Sequence, residues 1–428
     1  STSDRVSFHF AFTFLYVKIK LMEDIFMKKL IALLFLVVGL SAQMMAADGF
    51  IAFSAADGGK LLMRSGDRLS IAVSADEYPG VSRAVKSLIA DIREVADVNG
   101  QIVADAKANI IVGTIEKSSL IKSLVKSKKI DGKLLQGKTE KYIITMVDDA
   151  LVIAGSDKRG AIYGVYELSR QMGVSPWHWW ADVPVVKHNE IYVKQGVYTD
   201  NEPVVRYRGI FLNDEAPCLS GWVNEKFPDS ECPTANPQLA KGFNSHFYEK
   251  VFELLLRLKG NYMWPAMWGN AFYADDSNNS KLADEMGIIM GTSHHEPMAR
   301  NHQEWARHRK ENGPWDYDSN QKVIDDFFRE GIRRSKDNED LITIGMRGDG
   351  DTGLGGKEGH DDEYQSEDEK NLKLMERIFR NQRQIIKEVT GKPAEKRPQM
   401  WALYKEVQLY YNQGLRVPDD LIVTGFDN

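Results

Sequence analysis

The sequence predicts an α/β protein: an N-terminal α/β domain, then a (β/α)8 TIM-type barrel that is truncated after about its sixth strand. Three observations carry that prediction. Short apolar runs recur through residues 205–428, and each ends in acidic, aromatic, imidazole or guanidinium side chains. Amphipathic helical stretches separate those runs, which argues for a parallel sheet. The segment before them has its own succession of strands and helices, and so its own core.

The chain of 428 residues has room for more than one domain. Its opening reads as a processing signal. Met27–Lys29 is a basic start, Leu30–Leu40 an apolar stretch, and Ala46 and Ala47 a small-residue end. Residues 27–47 are therefore expected to be a signal peptide, with an apolar stretch too short to span a bilayer comfortably. Residues 1–26 precede it, begin with Ser1, and are expected to be read-through from upstream of the start codon. No cysteine follows the apolar stretch, so a lipid anchor there is excluded. The expected location is periplasmic or secreted, with no membrane attachment after cleavage.

Residues 48–200 are expected to form the N-terminal domain. Leu69–Val73 reads as a strand, broken at Tyr78-Pro79. Val85, Leu88, Ile89, Ile92 and Val95 make a helical stripe over 81–95. Ala108–Val112 is a second strand. Tyr142–Met146 and Leu151–Ala154 flank Asp148-Asp149, a hairpin signal. Arg159–Met172 is an amphipathic helix, with Gly173 placed to cap it. The aromatic run Trp177–Trp180 that follows is expected to plug the domain interface, with a sugar contact as the alternative.

Asn201–Val204 is a connector, and the barrel occupies 205–428. Its six strand runs end at Asn213-Asp214-Glu215, at Trp264 and Trp268, at His294-His295-Glu296, at Arg347 with Asp349 and Asp351, at Tyr404 with Glu406, and at Asp427-Asn428. Phe247–Lys259, Asp325–Arg334 and Leu372–Lys387 are its clear helices. A closed barrel needs eight strands, so the chain is expected to stop inside this domain.

Hydrophobic residues make up 43% of the chain and charged residues 27%, an ordinary globular composition. A net charge of −6 with no basic stripe argues against nucleic acid. The 2 cysteines, Cys218 and Cys232, lack zinc-site spacing; a disulfide and two free thiols are both open.

Acids, an arginine and indole rings at successive strand ends suit an acidic sugar. Carboxylate pairs do the acid and base work of glycoside cleavage. Glu406 is taken as general acid and Asp351 as general base, with Glu215 as a sugar-hydroxyl ligand or the exchanged partner. The isolated alternative for each is a solvated loop carboxylate. Arg347 is taken to bind the uronate carboxylate, since its fork suits bidentate contact; a salt bridge to Asp349 or Asp351 is the alternative. Tyr404, two residues before Glu406, is expected to share its face on an extended strand. His294 is expected to bind sugar hydroxyls. Trp264 is expected to stack on sugar and Trp268 can do the same, core packing being the alternative for one of the two, more readily Trp268; Asn213 and Asn428 are further substrate ligands. His294-His295-Glu296 with His302 lacks metalloprotease spacing, so no metal is expected. Gly350–Glu358 superficially resembles a phosphate loop, but no Ser or Thr follows Lys357 and acids surround it. No cofactor is expected.

Together these segments resemble the glycoside hydrolase family 115 α-glucuronidases. The motifs are Y-R-G-I-F-L-N-D-E, F-N-S-H-F-Y-E-K-V-F-E-L-L-L-R-L-K-G-N-Y-M-W-P-A-M-W, G-T-S-H-H-E-P-M and W-A-L-Y-K-E-V-Q-x-Y-Y, over nearly all of 49–428. The resemblance implies release of α-1,2-linked glucuronic acid, or its 4-O-methyl ether, from xylan or aldouronic oligosaccharides with inversion. It leaves a homodimer of the full-length protein as the assembly to test, and the truncation puts this chain's own activity in question. The competing readings are a related exo-glycosidase such as a β-hexosaminidase, and a catalytically silent carbohydrate-binding fragment.

Overall fold

The computed structural model describes residues 49–104, 107–236, 238–239, 241–354 and 368–425. The signal segment and Asn428 lie outside them.

The N-terminal region is built on a six-stranded sheet in the order β4-β3-β5-β7-β6-β9. Its strands are β3 (Arg68–Val73), β4 (Asn99–Val103), β5 (Ile110–Thr114), β6 (Tyr142–Val147), β7 (Ala150–Gly155) and β9 (Val197–Thr199). β3, β4, β5 and β7 run parallel, and β6 alone is reversed, pairing antiparallel with both β7 and β9. A small antiparallel sheet of β1 (Ile51–Ala52), β2 (Lys60–Arg64) and β8 (Glu190–Val193) lies alongside. β5 is buried at every position, because helices cover both faces of the large sheet. Ile110 and Val112 face α1 (Pro79–Ala96) and α3 (Lys158–Gln171). Ile111 faces α2 (Ser119–Lys126) on the other side, as the two-residue period requires. Pro79 does not merely end a strand; it is the first residue of α1, where its missing N–H costs nothing. Asp148 takes φ 53° in the β6–β7 turn, and Gly173 takes φ 97° after α3.

Six further strands follow in chain order: β10 (Gly209–Phe211), β11 (Tyr262–Trp264), β12 (Ile289–Met290), β13 (Ile342–Thr343), β14 (Gln399–Leu403) and β15 (Ile422–Gly425). All neighbouring pairs are parallel, but they form two three-stranded sheets, where one continuous sheet was expected. β12 and β13, each two residues long, pair with β11 and β14 but form no ladder with each other. A backbone bond from Leu341 N–H to the Met290 carbonyl, 2.9 Å, spans the break. Tyr262, Trp264, Ile289, Leu341, Met400 and Ala402 meet in one apolar cluster, so the row of strands curves around shared side chains.

Helices lie between these strands: α4 (Cys218–Lys226) and α5 (Ser245–Arg257) after β10, α6 (Asn279–Met286) after β11, α7 (His302–Arg307) and α8 (Tyr317–Ser335) after β12, α9 (Asp368–Thr390) after β13 and α10 (Glu406–Asn412) after β14. The apolar stripe of α5, including Phe247, Val251 and Leu255, joins the same core as α1 and α3. A buried ion pair crosses that junction: Arg257 donates to both oxygens of Asp91 at 2.9 and 3.0 Å. Such a pair adds little net stability, but losing one partner strands a buried charge. Trp180 packs against Phe247 in this junction, which matches the interface role expected for the aromatic run.

Both cysteines are free thiols. Cys232 is buried beside Asp276 at 3.3 Å, and Cys218 is exposed at the start of α4.

Candidate active site

The site is assembled from the segments that follow β12, β13 and β14. β13 ends at Thr343 and leads into Arg347, whose side chain is only 2% exposed. Its guanidinium forks onto Glu406, Nε to Oε1 at 2.8 Å and Nη2 to Oε2 at 2.7 Å. Its remaining arm, Nη1, donates to the Asp351 carboxylate and to the Asp351 carbonyl, the latter at 3.1 Å. One guanidinium therefore bridges the two acids singled out in the sequence. Trp315 fixes the backbone behind it, donating from Nε1 to the Arg347 carbonyl at 3.0 Å.

Both acid-bearing loops turn through left-handed backbone. Asp351 has φ 68°, and Lys405, next to Glu406, has φ 51°. Outside glycine such conformations cost ~1–2 kcal/mol, and they persist where surrounding contacts hold them. β14 ends at Leu403 and Glu406 opens α10, so the expected alternation of Tyr404 and Glu406 along one strand does not occur. The two still converge: the Arg347 guanidinium lies 5.2 Å from the Tyr404 ring centre, and the His294 ring lies 4.3 Å from it.

His294 Nε2 lies 2.7 Å from Asp351 Oδ1. Burial works to raise the Asp351 carboxyl, but the hydrogen bond to His294 and the Arg347 guanidinium beside it outweigh it and hold the carboxyl below its ordinary value. Asp351 is thus an ionised carboxylate. His295, buried and next to His294, is pushed down to about 3 and stays neutral; its Nδ1 lies 3.2 Å from Ser293 Oγ. His302 is also driven down, by burial, against the pull of Asp349. Its Nε2 lies 2.9 Å from Asp349 and accepts from Gly350 N–H at 3.2 Å, tying α7 to the Asp351 loop. Glu296 anchors α7 in turn, accepting from His302 N–H at 2.9 Å.

His294, His295 and Asp351 bring three ligand atoms within 4.8 Å of one another, the one such group found among the described residues. A divalent cation there would need Asp351. Arg347 and His294 already occupy one oxygen of that carboxylate, and the guanidinium supplies its counter-charge.

The burial of the two indoles runs opposite to the reading that made Trp268 the more readily buried one. Trp264 is 6% exposed, packed in the inner cluster with its Nε1 on Tyr262 Oη at 2.5 Å. Trp268 is 44% exposed, with its ring 6.3 Å from that of His295. The strand-end Asp214 explains the difference. It is buried and accepts from Met267 N–H, Trp268 N–H and Asn270 Nδ2, so it folds the loop that presents Trp268. Glu215 and Asn213 are not brought into the cluster around Arg347; Glu215 is exposed and has no polar partner among the described residues. Among the acids of the first strand end, the sequence pointed to Glu215; the loop clamp is its neighbour.

Two carboxylates held beside a cationic fork can give and take protons across a glycosidic bond, which places the chain among the glycoside hydrolases. The finer assignment agrees. The chain belongs to glycosyl hydrolase family 115, whose model matches residues 200–428. It resembles the structure of BtGH115A, a family GH115 4-O-methyl-alpha-glucuronidase with specificity for decorated arabinogalactans, with 34% identity and a TM-score of 0.73. That match covers 84% of this chain and 45% of the other, so the matched part spans less than half of that enzyme. Weaker likenesses extend to a β-N-acetylhexosaminidase from Bacteroides fragilis (14% identity, TM-score 0.47, 88% of this chain and 69% of the other). They also extend to a GH138 enzyme targeting pectin rhamnogalacturonan II (14% identity, TM-score 0.44, 84% of this chain and 48% of the other). Neither bears on the site. No curated protein sequence matches the chain.

Proposed function

We propose that the protein is an exported, inverting α-glucuronidase that removes α-linked glucuronic acid, or its 4-O-methyl ether, from a plant polysaccharide. The observation that carries the reading is the Arg347 guanidinium held between Asp351 and Glu406, in a chain of this family. Export rests on the signal-like segment 27–47; among the described residues no helix is long and apolar enough to cross a membrane. We assign 48–200 to the N-terminal unit and 205–428 to the catalytic region, its six parallel strands being successive staves of a (β/α)8-type barrel.

In this mechanism the substrate uronate takes over the fork that Arg347 now gives to Glu406. That exchange keeps the guanidinium paired and frees Glu406 to take up a proton from solvent and pass it to the leaving oxygen. Asp351, ionised and positioned by His294, draws a proton from the water that attacks the anomeric carbon from the opposite side. Tyr404 and His294 border the sugar, and Trp268 replaces Trp264 as the stacking ring. Glu215 and Asn213 contact hydroxyls at the rim.

Xylan is the substrate suggested by the sequence motifs, and the BtGH115A likeness favours arabinogalactan as a second reading. Incubating the protein separately with glucuronoxylan and with glucuronosylated arabinogalactan, and quantifying free uronic acid, distinguishes them. Release from either supports the activity; release from neither overturns it.

A further inference from the structure

A second recess lies away from the Arg347 constellation, between the N-terminal domain and α4. It is a cleft of about 1230 Å³, bounded by α1, the segment from His178 to Lys187, and the second half of α4. Pockets for a single drug-sized molecule span ~300–1,000 Å³, so this cleft has room for an oligomer.

Its lining is unlike an ordinary domain seam. Trp179, Trp180 and Trp222 contribute indole rings, with centroids 5.7 Å apart for Trp180–Trp222 and 6.3 Å apart for Trp179–Trp222. Trp180 is anchored in the core beneath, while Trp222 remains 41% exposed. Lys86, Arg93, Lys187 and Lys226 also line the cleft, all four exposed, and none makes an ion pair among the described residues. Three carboxylates, Glu94, Asp97 and Asp182, share the lining and are likewise without a cationic partner there. Indole faces stack on sugar rings, and unpaired cations attract uronates while carboxylates accept from sugar hydroxyls.

The chain links the cleft to the loop after β10 through α4. That helix starts four residues after Asp214, which shapes the Trp268 loop, and carries Trp222 and Lys226 further on. At 1.5 Å per residue these side chains sit ~6–12 Å along the helix from its start.

We infer that this cleft is a second glycan-binding site, which holds a uronate-bearing polysaccharide chain while the Arg347 site acts on one of its branches. The choice of ligand rests on the proposed function; the site itself rests on the lining.

Affinity electrophoresis of the protein in native gels containing glucuronoxylan, glucuronosylated arabinogalactan or uronate-free xylan tests it. Retardation by an acidic polymer is expected, weakened by about 0.5 M salt. Trp222→Ala, and separately the surface double variant Lys187→Glu with Lys226→Glu, should weaken retardation about tenfold. Both should leave uronic acid release from short aldouronic oligosaccharides unchanged while raising the KM for polymer. Unchanged retardation in both variants overturns the inference. So does a change in solution mass in either variant, which would make the cleft an interface for a second copy of the chain. Retardation lost in the variants without any uronic acid release leaves the cleft site standing and removes the catalytic reading; release with undiminished retardation removes the cleft site alone.

Discussion

Replacing Glu296 with glutamine should stabilise the protein in mildly alkaline solution and leave it almost unchanged in acid. Glu296 is fully buried, and burial pushes its carboxyl up from 4.5 to about 8, against opposing hydrogen bonds from His302 and Asn301. Its second oxygen, Oε2, has no hydrogen-bond partner among the described residues. Below the unfolded value, ~4.3, both states hold the proton and its contribution to stability is fully present. As pH rises toward 8 the unfolded chain releases a proton that the folded protein keeps, so stability falls; above about 8 the loss is complete. A rise from 4.5 to about 8, at ~1.4 kcal/mol per pH unit, sets a ceiling of ~5 kcal/mol, and relaxation around the charge lowers it. Glutamine keeps the shape and the accepting oxygen but cannot ionise. Denaturant unfolding of both proteins at about pH 5 and about pH 8.5 isolates the effect, since all other titrating groups cancel in the difference. The variant should gain ~2–4 kcal/mol over the parent between the two pH values, because ~1 kcal/mol of the ceiling is already lost at about pH 5. An equal difference at both would refute the reasoning that burial keeps this carboxyl protonated.

Three further outcomes follow from the same contacts. Arg347→Lys should lower kcat/KM on glucuronosyl substrates at least ~100-fold with an unchanged far-UV circular dichroism spectrum, because an ammonium cannot serve Glu406 and Asp351 together; near-parent kinetics would remove the fork from the mechanism. Trp264→Ala should cost ~3–5 kcal/mol of stability, whereas Trp268→Ala should raise KM with little change in Tm; the opposite pattern would restore Trp264 as the sugar platform. Asp91→Ala should destabilise by ~3 kcal/mol, moderated by Glu253, which also contacts Arg257 at 2.8 Å, and thermal unfolding measures it.

Much of the architecture was legible because its signals are periodic. The α1 and α5 stripes, the β6–β7 hairpin and all six downstream strand runs are patterns of 3.6 or 2 residues, and each appears near its expected place. β1, β8 and β9 are four residues or fewer, and β2 and β4 do not alternate buried with exposed positions, so none of them announces itself. The convergence of Arg347, Asp351 and Glu406 was readable from their positions at neighbouring strand ends. The bridge from Arg347 to Asp351 is the alternative the sequence offered for that arginine; its fork onto Glu406 was not readable, because a guanidinium can face a ligand or a protein carboxylate equally well. Tyr404 and Glu406 defeated the alternation rule because the chain turns through Lys405 into a helix between them. Trp264 and Trp268 were exchanged for a similar reason: which indole is outward depends on where Asp214 reaches, more than 50 residues away in the chain. Asp214 itself stood out only as the neighbour of Glu215 at a strand end. Only the three N–H groups that converge on it mark it as a clamp.

The measurement that tests the central claim most directly is the anomer of the uronic acid first released. Proton NMR of the protein acting on an α-linked glucuronosyl oligosaccharide, recorded before mutarotation, reads it. An inverting pair needs room for water between its carboxyl groups, roughly 6.5–9.5 Å, whereas a nucleophile in a retaining pair sits at about 5–5.5 Å. With Glu406 as acid and Asp351 as base, β-glucuronic acid should appear first and the α-anomer should grow in only as mutarotation proceeds. Initial release of the α-anomer would mean retention and would contradict the roles given to these two acids.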